Sequence, residues 1–388
     1  MHAASVGEVT GAIPIVRTLR ERLPGAALYL TVTTPHGFQF ACSNLSPWAR
    51  ILPFPLDFPV VLERAFRKIQ PDLYVALEAE FWPNLFRFLK RYQTPAVLLN
   101  GQLSHRSTRW YRLMEPLFRP IFQQFAWLAM HSDEDRKNVL LLGASQERTC
   151  VLGSSKYDAL LLRRDMARPD EWRRKLSLHR DVPVLIGGSL RRSECTQLME
   201  IFCSLKKMDP GLVGLFAPRH MGQLANMTKW LDARRVDYQL LSQIQTARED
   251  RSASVVLVDS IGILFDLYAV GDLVFCGGTL EPFDGHNIME PAAWGKAVFY
   301  GPHLQKVSDE HNILQNSKGG FLVKDSNDLL RQWGYWIQSL PGLKQHGENA
   351  KQALLQVSGV STRQVELIMS ALAERFSPHL EDGITWRK

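Results

Sequence analysis

The chain has 388 residues, 45% hydrophobic and 22% charged, with a formal net charge of +7. That length exceeds one ordinary core and implies two domains, while the positive balance favours an anionic partner such as a nucleotide-linked substrate or an acidic membrane surface. Its five cysteines are scattered without a C-x-x-C pair, which argues against a disulfide framework or zinc site, and no run approaches the roughly 20 apolar residues needed to span a bilayer.

The first seven residues after Met1, His2-Ala3-Ala4-Ser5-Val6-Gly7-Glu8, are small and turn-like. Val9, Ile13, Val16, Leu19 and Leu23 follow at helical spacing, so Glu8 falls at a helix N-terminus, where a carboxylate ordinarily serves the helix dipole. Apolar runs over 27–32, 73–77, 96–99, 127–130 and 149–152 read as strands alternating with amphipathic segments. Just past the second run stands Glu78-Ala79-Glu80: two carboxylates there are paired, functional, or a cap for the helix that begins after Pro83. The stretch 106–125 mixes arginines with Trp, Tyr, Phe and Leu, the pattern of an amphipathic helix pair or of a basic aromatic surface facing anionic lipid. Asp133-Glu134-Asp135 follows Ser132 and reads as helix capping rather than a metal site. Lys156 lies beyond the 149–152 strand, either solvated or facing an anion.

After an arginine-rich stretch, 163–180, the alternation restarts with strands over 184–186, 213–216, 238–241, 255–258, 273–275, 297–300 and 321–323. Strands alternating with helices predict an α/β protein of two Rossmann-like, doubly wound domains facing a cleft, with ligands outside the carboxyl ends of the strands. The divisions expected are 1–165, 166–345, and C-terminal helices over 346–388 packing back toward the first domain. Gly187-Gly188-Ser189 reads as a turn between strand and helix that offers backbone N–H groups to a phosphate. Arg219 ends a later strand with a guanidinium suited to phosphate. Beyond Cys276-Gly277-Gly278-Thr279 a helix is expected near Asn287, with Glu290 in its first turn placed to accept ribose hydroxyls, the pattern of a nucleotide-sugar site. The eleven histidines show no ligand spacing, so neither a metal nor another cofactor is expected.

Six ordered segments carry a resemblance: 2–8, Thr33-Thr34-Pro35-His36-Gly37, Glu78-Ala79-Glu80-Phe81-Trp82-Pro83-Asn84, Leu103-Ser104-His105-Arg106-Ser107, Ala217-Pro218-Arg219-His220 and Gly285-His286-Asn287-Ile288-Met289-Glu290-Pro291. Together they resemble the 3-deoxy-D-manno-octulosonic acid (Kdo) transferases of lipopolysaccharide synthesis, inverting, metal-independent glycosyltransferases of the two-domain GT-B type. The resemblance implies a CMP-Kdo donor and a lipid A precursor (lipid IVA) as acceptor, at the cytoplasmic face of the bacterial inner membrane, with no nucleic-acid partner. It implies Glu8 as general base, Glu78 and Lys156 as transition-state stabilisers, and Pro218, Arg219, Ile261, Gly262, Ile263, Asn287, Ile288, Met289 and Glu290 as the CMP-binding segments. The chain departs from the family pattern at Gln102, where an arginine is usual, at Leu190-Arg191-Arg192-Ser193-Glu194 in place of Thr-His-x-Gly-Glu, and at Ile263 in place of a glutamate. Alternative readings are a nucleotide-sugar 2-epimerase of the same architecture and a catalytically degenerate, membrane-associated relative. By the same resemblance the first strand of the first sheet is expected to be missing, with about 50 preceding residues carrying it and a membrane anchor of about 20 apolar residues.

Overall fold

Two seven-stranded sheets, every pairing parallel, organise the chain in the computed structural model, which describes residues 1–376 apart from 168, 180, 247–249, 284 and 286. The first contains β1 (His2–Ala3), β2 (Tyr29–Val32), β3 (Arg50–Pro53), β4 (Tyr74–Leu77), β5 (Ala96–Gly101), β6 (Phe125–Met130) and β7 (Thr149–Val151), in the order β3-β2-β1-β4-β5-β6-β7. The second contains β8 (Val184–Leu190), β9 (Val213–Pro218), β10 (Tyr238–Leu240), β11 (Val255–Leu257), β12 (Leu273–Cys276), β13 (Val298–Tyr300) and β14 (Gly320–Leu322), in the order β10-β11-β9-β8-β12-β13-β14. Both are doubly wound. Strand order reverses between β1 and β4 in the first sheet and between β8 and β12 in the second, and ligands of such sheets sit at the carboxyl ends beside that reversal.

The sequence pattern explains most of this. Central strands of a parallel sheet are covered on both faces and read as unbroken apolar runs, as Ala96–Gly101 and Leu273–Cys276 do. On one face of the first sheet, Val9, Ala12, Ile15 and Val16 of the Val6–Arg22 helix pack with Leu30, Val75, Val97 and Leu99. On the other, Phe81, Phe86, Phe122 and Phe125 cluster with Leu98 and Leu128. The second sheet buries Leu198, Phe202 and Leu205 of the Ser193–Met208 helix with Phe216, Phe275, Phe299 and Trp333.

Two expectations are corrected here. The central strand of the first sheet is present, as the two-residue β1, which pairs with β2 through His2 and Ala3 and with β4 through His2. The amide of Thr31 and the amino group of Met1 complete the ladder, bonding Met1 O at 3.0 Å and Tyr29 O at 2.8 Å. Gly187 and Gly188 do not form a turn: β8 runs on to Leu190 with a bulge after Gly187, and the next helix starts at Ser193.

The chain divides into two compact units. One comprises Met1–Leu162 together with the chain from Val357; the other is Arg163–Gln356. The Leu340–Gln356 helix belongs to the second unit, whereas the Val360–Phe376 helix lays Val365, Ile368 and Ala371 into the core of the first. Residues 377–388 lie outside those described. Among the described residues no helix is long and apolar enough to cross a membrane.

Candidate active site

In the first unit the loops leaving β1, β4 and β7 bring three of the expected residues together. After β1 the chain turns at Ala4 and Ser5 into the Val6–Arg22 helix, with Ser5 as N-cap and Glu8 in the first turn. Glu8 accepts a hydrogen bond from the Ala4 amide at 2.6 Å and from the Ser5 hydroxyl at 3.2 Å. These are capping contacts, so the helix-end role is real. The carboxyl is nonetheless only 7% exposed, and burial pushes it up to about 7; the Ala4 amide opposes this, the nearby charges of Glu78 and Glu80 add to it, and the Ser5 hydroxyl opposes it. A carboxyl near neutrality is a base that changes protonation at working pH.

Glu78 follows β4 in a left-handed conformation, φ 62°, unusual for a residue with a β-carbon. Its amide still bonds Leu99 O at 3.0 Å, while its carboxylate meets the Lys156 ammonium at 2.6 Å. Lys156 opens the Lys156–Met166 helix just past β7. Its Nζ lies 3.7 Å from where a β-carbon on Gly7 would stand, which puts the ammonium against the first turn of the helix that bears Glu8. Gly37, in the expected Thr33–Gly37 motif, packs where a β-carbon would fall 3.1 Å from the Ser5 carbonyl carbon. Only glycine allows that approach. Thr34 then anchors the turn by donating both its amide and its hydroxyl to Ala4 O.

Neither Glu78 nor Glu80 caps the Pro83–Arg91 helix. Asp57 does, accepting from the amides of Asn84 at 3.1 Å and Leu85 at 2.8 Å. Glu80 instead accepts from Trp82 Nε1 at 2.7 Å and lies 3.4 Å from Nε2 of the fully buried His2. The His2 contact is the main cause holding the Glu80 carboxyl below its ordinary range, against the opposing effect of burial and with help from Trp82. Gln102, which stands where the family carries arginine, bonds His131 at 3.1 Å. In the Asp133-Glu134-Asp135 run, Asp135 closes a cap with Ser132 and accepts from the Leu103 amide at 2.7 Å, and Glu134 pairs with His105. Among the described residues, no group of three or more His, Cys, Asp or Glu side chains is arranged to hold a metal ion.

In the second unit the loops after β8, β9 and β12 converge. Gly277 donates to Gly188 O at 2.7 Å, so close to β8 that a β-carbon would fall 2.7 Å from Ser189 O. Glu194, wholly buried in the first turn of the Ser193–Met208 helix, accepts from the amides of Arg191, Gly278, Thr279 and Leu280 at 2.7–3.0 Å. Burial raises its carboxyl despite those four donors. This single side chain fixes the glycine turn, and sequence reasoning gave it no role; its position opening a helix after a glycine-containing strand was the available signal.

Pro218 is buried and Arg219 exposed, its backbone amide tied to Leu190 O at 2.8 Å. Ile261 is 85% exposed, and Gly262, at φ +91°, has open space around it. Gly262 O accepts from Arg163 at 2.6 Å, and the Arg163 guanidinium stacks 4.5 Å over the Phe265 ring. Ile263 caps the short Leu264–Leu267 helix through its backbone position. Asn287 is exposed and bonds the Met289 amide, whereas Ile288 and Met289 are core residues with no exposed surface, so only their backbone is offered to a ligand. The helix expected near Asn287 starts at Glu290 itself. The half-buried Glu290 carboxyl is pushed by burial up to about 7, opposed by the charges of Arg163 and Arg219 and reinforced by that of Asp266. That mutual influence places Arg163 and Arg219 around Glu290. Asp284 and His286 lie outside the described residues.

Comparison with known proteins gives consistent matches. The family described as 3-Deoxy-D-manno-octulosonic-acid transferase (kdotransferase) matches residues 1–159. A 3-deoxy-D-manno-octulosonic acid transferase of Haemophilus influenzae is 28% identical over 99% of this chain and 87% of its own. A bifunctional glycosyltransferase/methyltransferase of Fusobacterium nucleatum is 28% identical over 85% of this chain, which spans about half (51%) of that protein. Among solved structures, a UDP-GlcNAc 2-epimerase from Neisseria meningitidis bound to UDP-GlcNAc has a TM-score of 0.67 at 12% identity, covering 95% of this chain and 98% of its own. At that identity the likeness shows the shared two-domain fold alone.

Proposed function

Since the chain belongs to the Kdo transferase family, we propose that it moves Kdo from CMP-Kdo to a lipid A precursor, lipid IVA, with inversion at the anomeric carbon. The observation that carries this reading is the convergence of Glu8, Glu78 and Lys156 where the first sheet reverses its strand order. Glu8, ionised, takes the proton of an acceptor hydroxyl as its oxygen bonds to the anomeric carbon of Kdo. The bond from that carbon to the CMP phosphate oxygen breaks, and CMP leaves with the electron pair. The Lys156 ammonium, held by Glu78, stabilises negative charge that develops during transfer. Arg219 and the backbone around Gly262 and Asn287 hold the CMP phosphate, while Glu290 accepts the ribose hydroxyls. With these cations and amides the leaving group needs no metal ion.

The acceptor is a lipid, and the chain is placed by this reading at the cytoplasmic face of the inner membrane. Net charge of +7 and the exposed Trp110 and Leu113 of the basic His105–Leu113 helix support contact with anionic headgroups. The test is mass spectrometry of the glycolipid formed from CMP-Kdo and lipid IVA by the full chain. A mass gain of one or more Kdo units is expected, and no adduct under any salt or detergent condition overturns the reading.

A further inference from the structure

We propose that Gln364, on the Val360–Phe376 helix, is a positioning residue for the transfer reaction: through Asn100 and Ser155 it fixes the turn before Lys156 against the helix that bears Glu8. The inference rests on the roles proposed above for Glu8 and Lys156.

The geometry begins at Asn100, near the end of β5, where the pairing with β6 shifts register and the backbone is left-handed at φ 53°. The side chain is thereby turned into the protein. Its Oδ1 accepts from the Ser155 amide at 3.0 Å and from Gln364 Nε2 at 2.9 Å, and its Nδ2 donates to the Ser155 hydroxyl at 2.8 Å. That hydroxyl donates onward to Gly11 O at 2.8 Å. Asn100, Ser155 and Gln364 are at most 1% exposed. Gly11 lies one turn after Glu8, and a β-carbon there would meet Asn100 Nδ2 at 2.9 Å, so glycine admits the network. Ser155 is the residue immediately before Lys156. One buried amide network thus touches both backbone segments that present the reacting groups.

Gln364 completes it from the far end of the chain. Its helix is set by Asp158, on the same helix as Lys156, which accepts from the amides of Gly359 and Ser361 at 2.6 Å each. To donate to Asn100, Gln364 must bury its own carbonyl oxygen, which finds no partner. Stability alone does not favour that arrangement, because methionine fills the same volume with no polar group to desolvate. The amide is explained by what it orients.

Gln364→Met and Gln364→His, in the full chain, separate orientation from packing. Gln364→Met is expected to lower kcat by about ten- to a hundredfold, the range for slight misplacement of catalytic groups. CMP affinity should stay within about twofold and the melting temperature should not fall, as for loss of transition-state interactions alone. Gln364→His, which keeps an N–H donor, should recover most of kcat. Wild-type kcat in Gln364→Met overturns the inference, as does a loss in both variants that tracks a lowered melting temperature. Should Gln364→Met not fold, Ser155→Ala cuts the link to Gly11 without touching the last helix and is expected to give the same selective fall in kcat; full activity there is equally adverse. A wild type that makes no Kdo adduct, or Glu8→Gln at the wild-type rate, overturns the functional reading and this inference with it. An active wild type, a crippled Glu8→Gln and a fully active Gln364→Met overturn this inference alone.

Discussion

Glu8→Gln tests two consequences of one buried carboxyl. Glutamine keeps an oxygen to accept from the Ala4 amide and an amide group for the Ser5 hydroxyl, so both helix-end contacts survive the change. What disappears is the ability to take a proton. Turnover should fall by about two to four orders of magnitude, the usual contribution of general acid–base catalysis, with CMP affinity unchanged. The second consequence concerns stability. Burial first, with Glu78 and Glu80 adding, raises this carboxyl from 4.5 to about 7. The folded wild type therefore holds its proton more tightly than the unfolded chain, and ionisation progressively destabilises it as pH rises from about 4.5 to about 7. The variant escapes that destabilisation. Melting temperatures measured from pH 4 to 9 should coincide at the acid end, with the variant gaining on wild type through that window and holding its advantage above it. In wild type, kcat/KM should fall below pH 7 as Glu8 protonates. A fully active variant, or a stability difference that ignores pH, refutes the reasoning.

Arg219→Ala should weaken CMP binding by about 1.5–3 kcal/mol, typical of a charged hydrogen bond, as read by calorimetry. CMP, and not UDP, should raise the melting temperature, which separates Kdo transfer from a hexose-nucleotide epimerase; a UDP effect alone counts against the functional reading. EDTA should leave transfer intact, and strict dependence on a divalent ion would show that Arg219, Lys156 and backbone amides do not suffice for the leaving phosphate. Asp57→Ala removes the cap of the Pro83–Arg91 helix and should cost about 0.5–2 kcal/mol in urea unfolding. Glu194→Ala strips four amides of their acceptor, and at about 1–3 kcal/mol for each donor left buried and unpaired it should be among the most destabilising single changes in the chain.

The legible parts of this fold are those in which one short segment carries its own signal. Val255–Leu257 and Leu273–Cys276 are apolar runs buried on both faces, and the pattern alone locates them. Arg50–Pro53 escaped because it is an edge strand, exposed at both ends and finished by a proline, with no burial to impose a pattern. β1 escaped because two residues are too few to show a period. Glu8, Glu78 and Lys156 were legible as a family pattern, but the ion pair that joins Glu78 to Lys156 spans 78 positions and belongs to the topology. Glu194 and Gln364 were hidden for a different reason. A buried carboxylate or amide is chosen for the backbone groups that surround it, and those come from Gly278–Leu280 in one case and from the Asn100–Ser155 network in the other.

The interruption of the first unit by residues 163–356 has a consequence for biosynthesis. Strands β1 to β7 leave the ribosome together, yet the helix that covers Ala12, Ile15 and Val97 emerges about 200 residues later, some ten to forty seconds at roughly 5–20 residues per second. Over that interval the nascent sheet exposes an apolar face and Asn100 waits without its last donor. A chain released early, or clipped between the two units, keeps both sheets while losing that cover, and becomes a substrate for chaperones and proteases rather than a working enzyme.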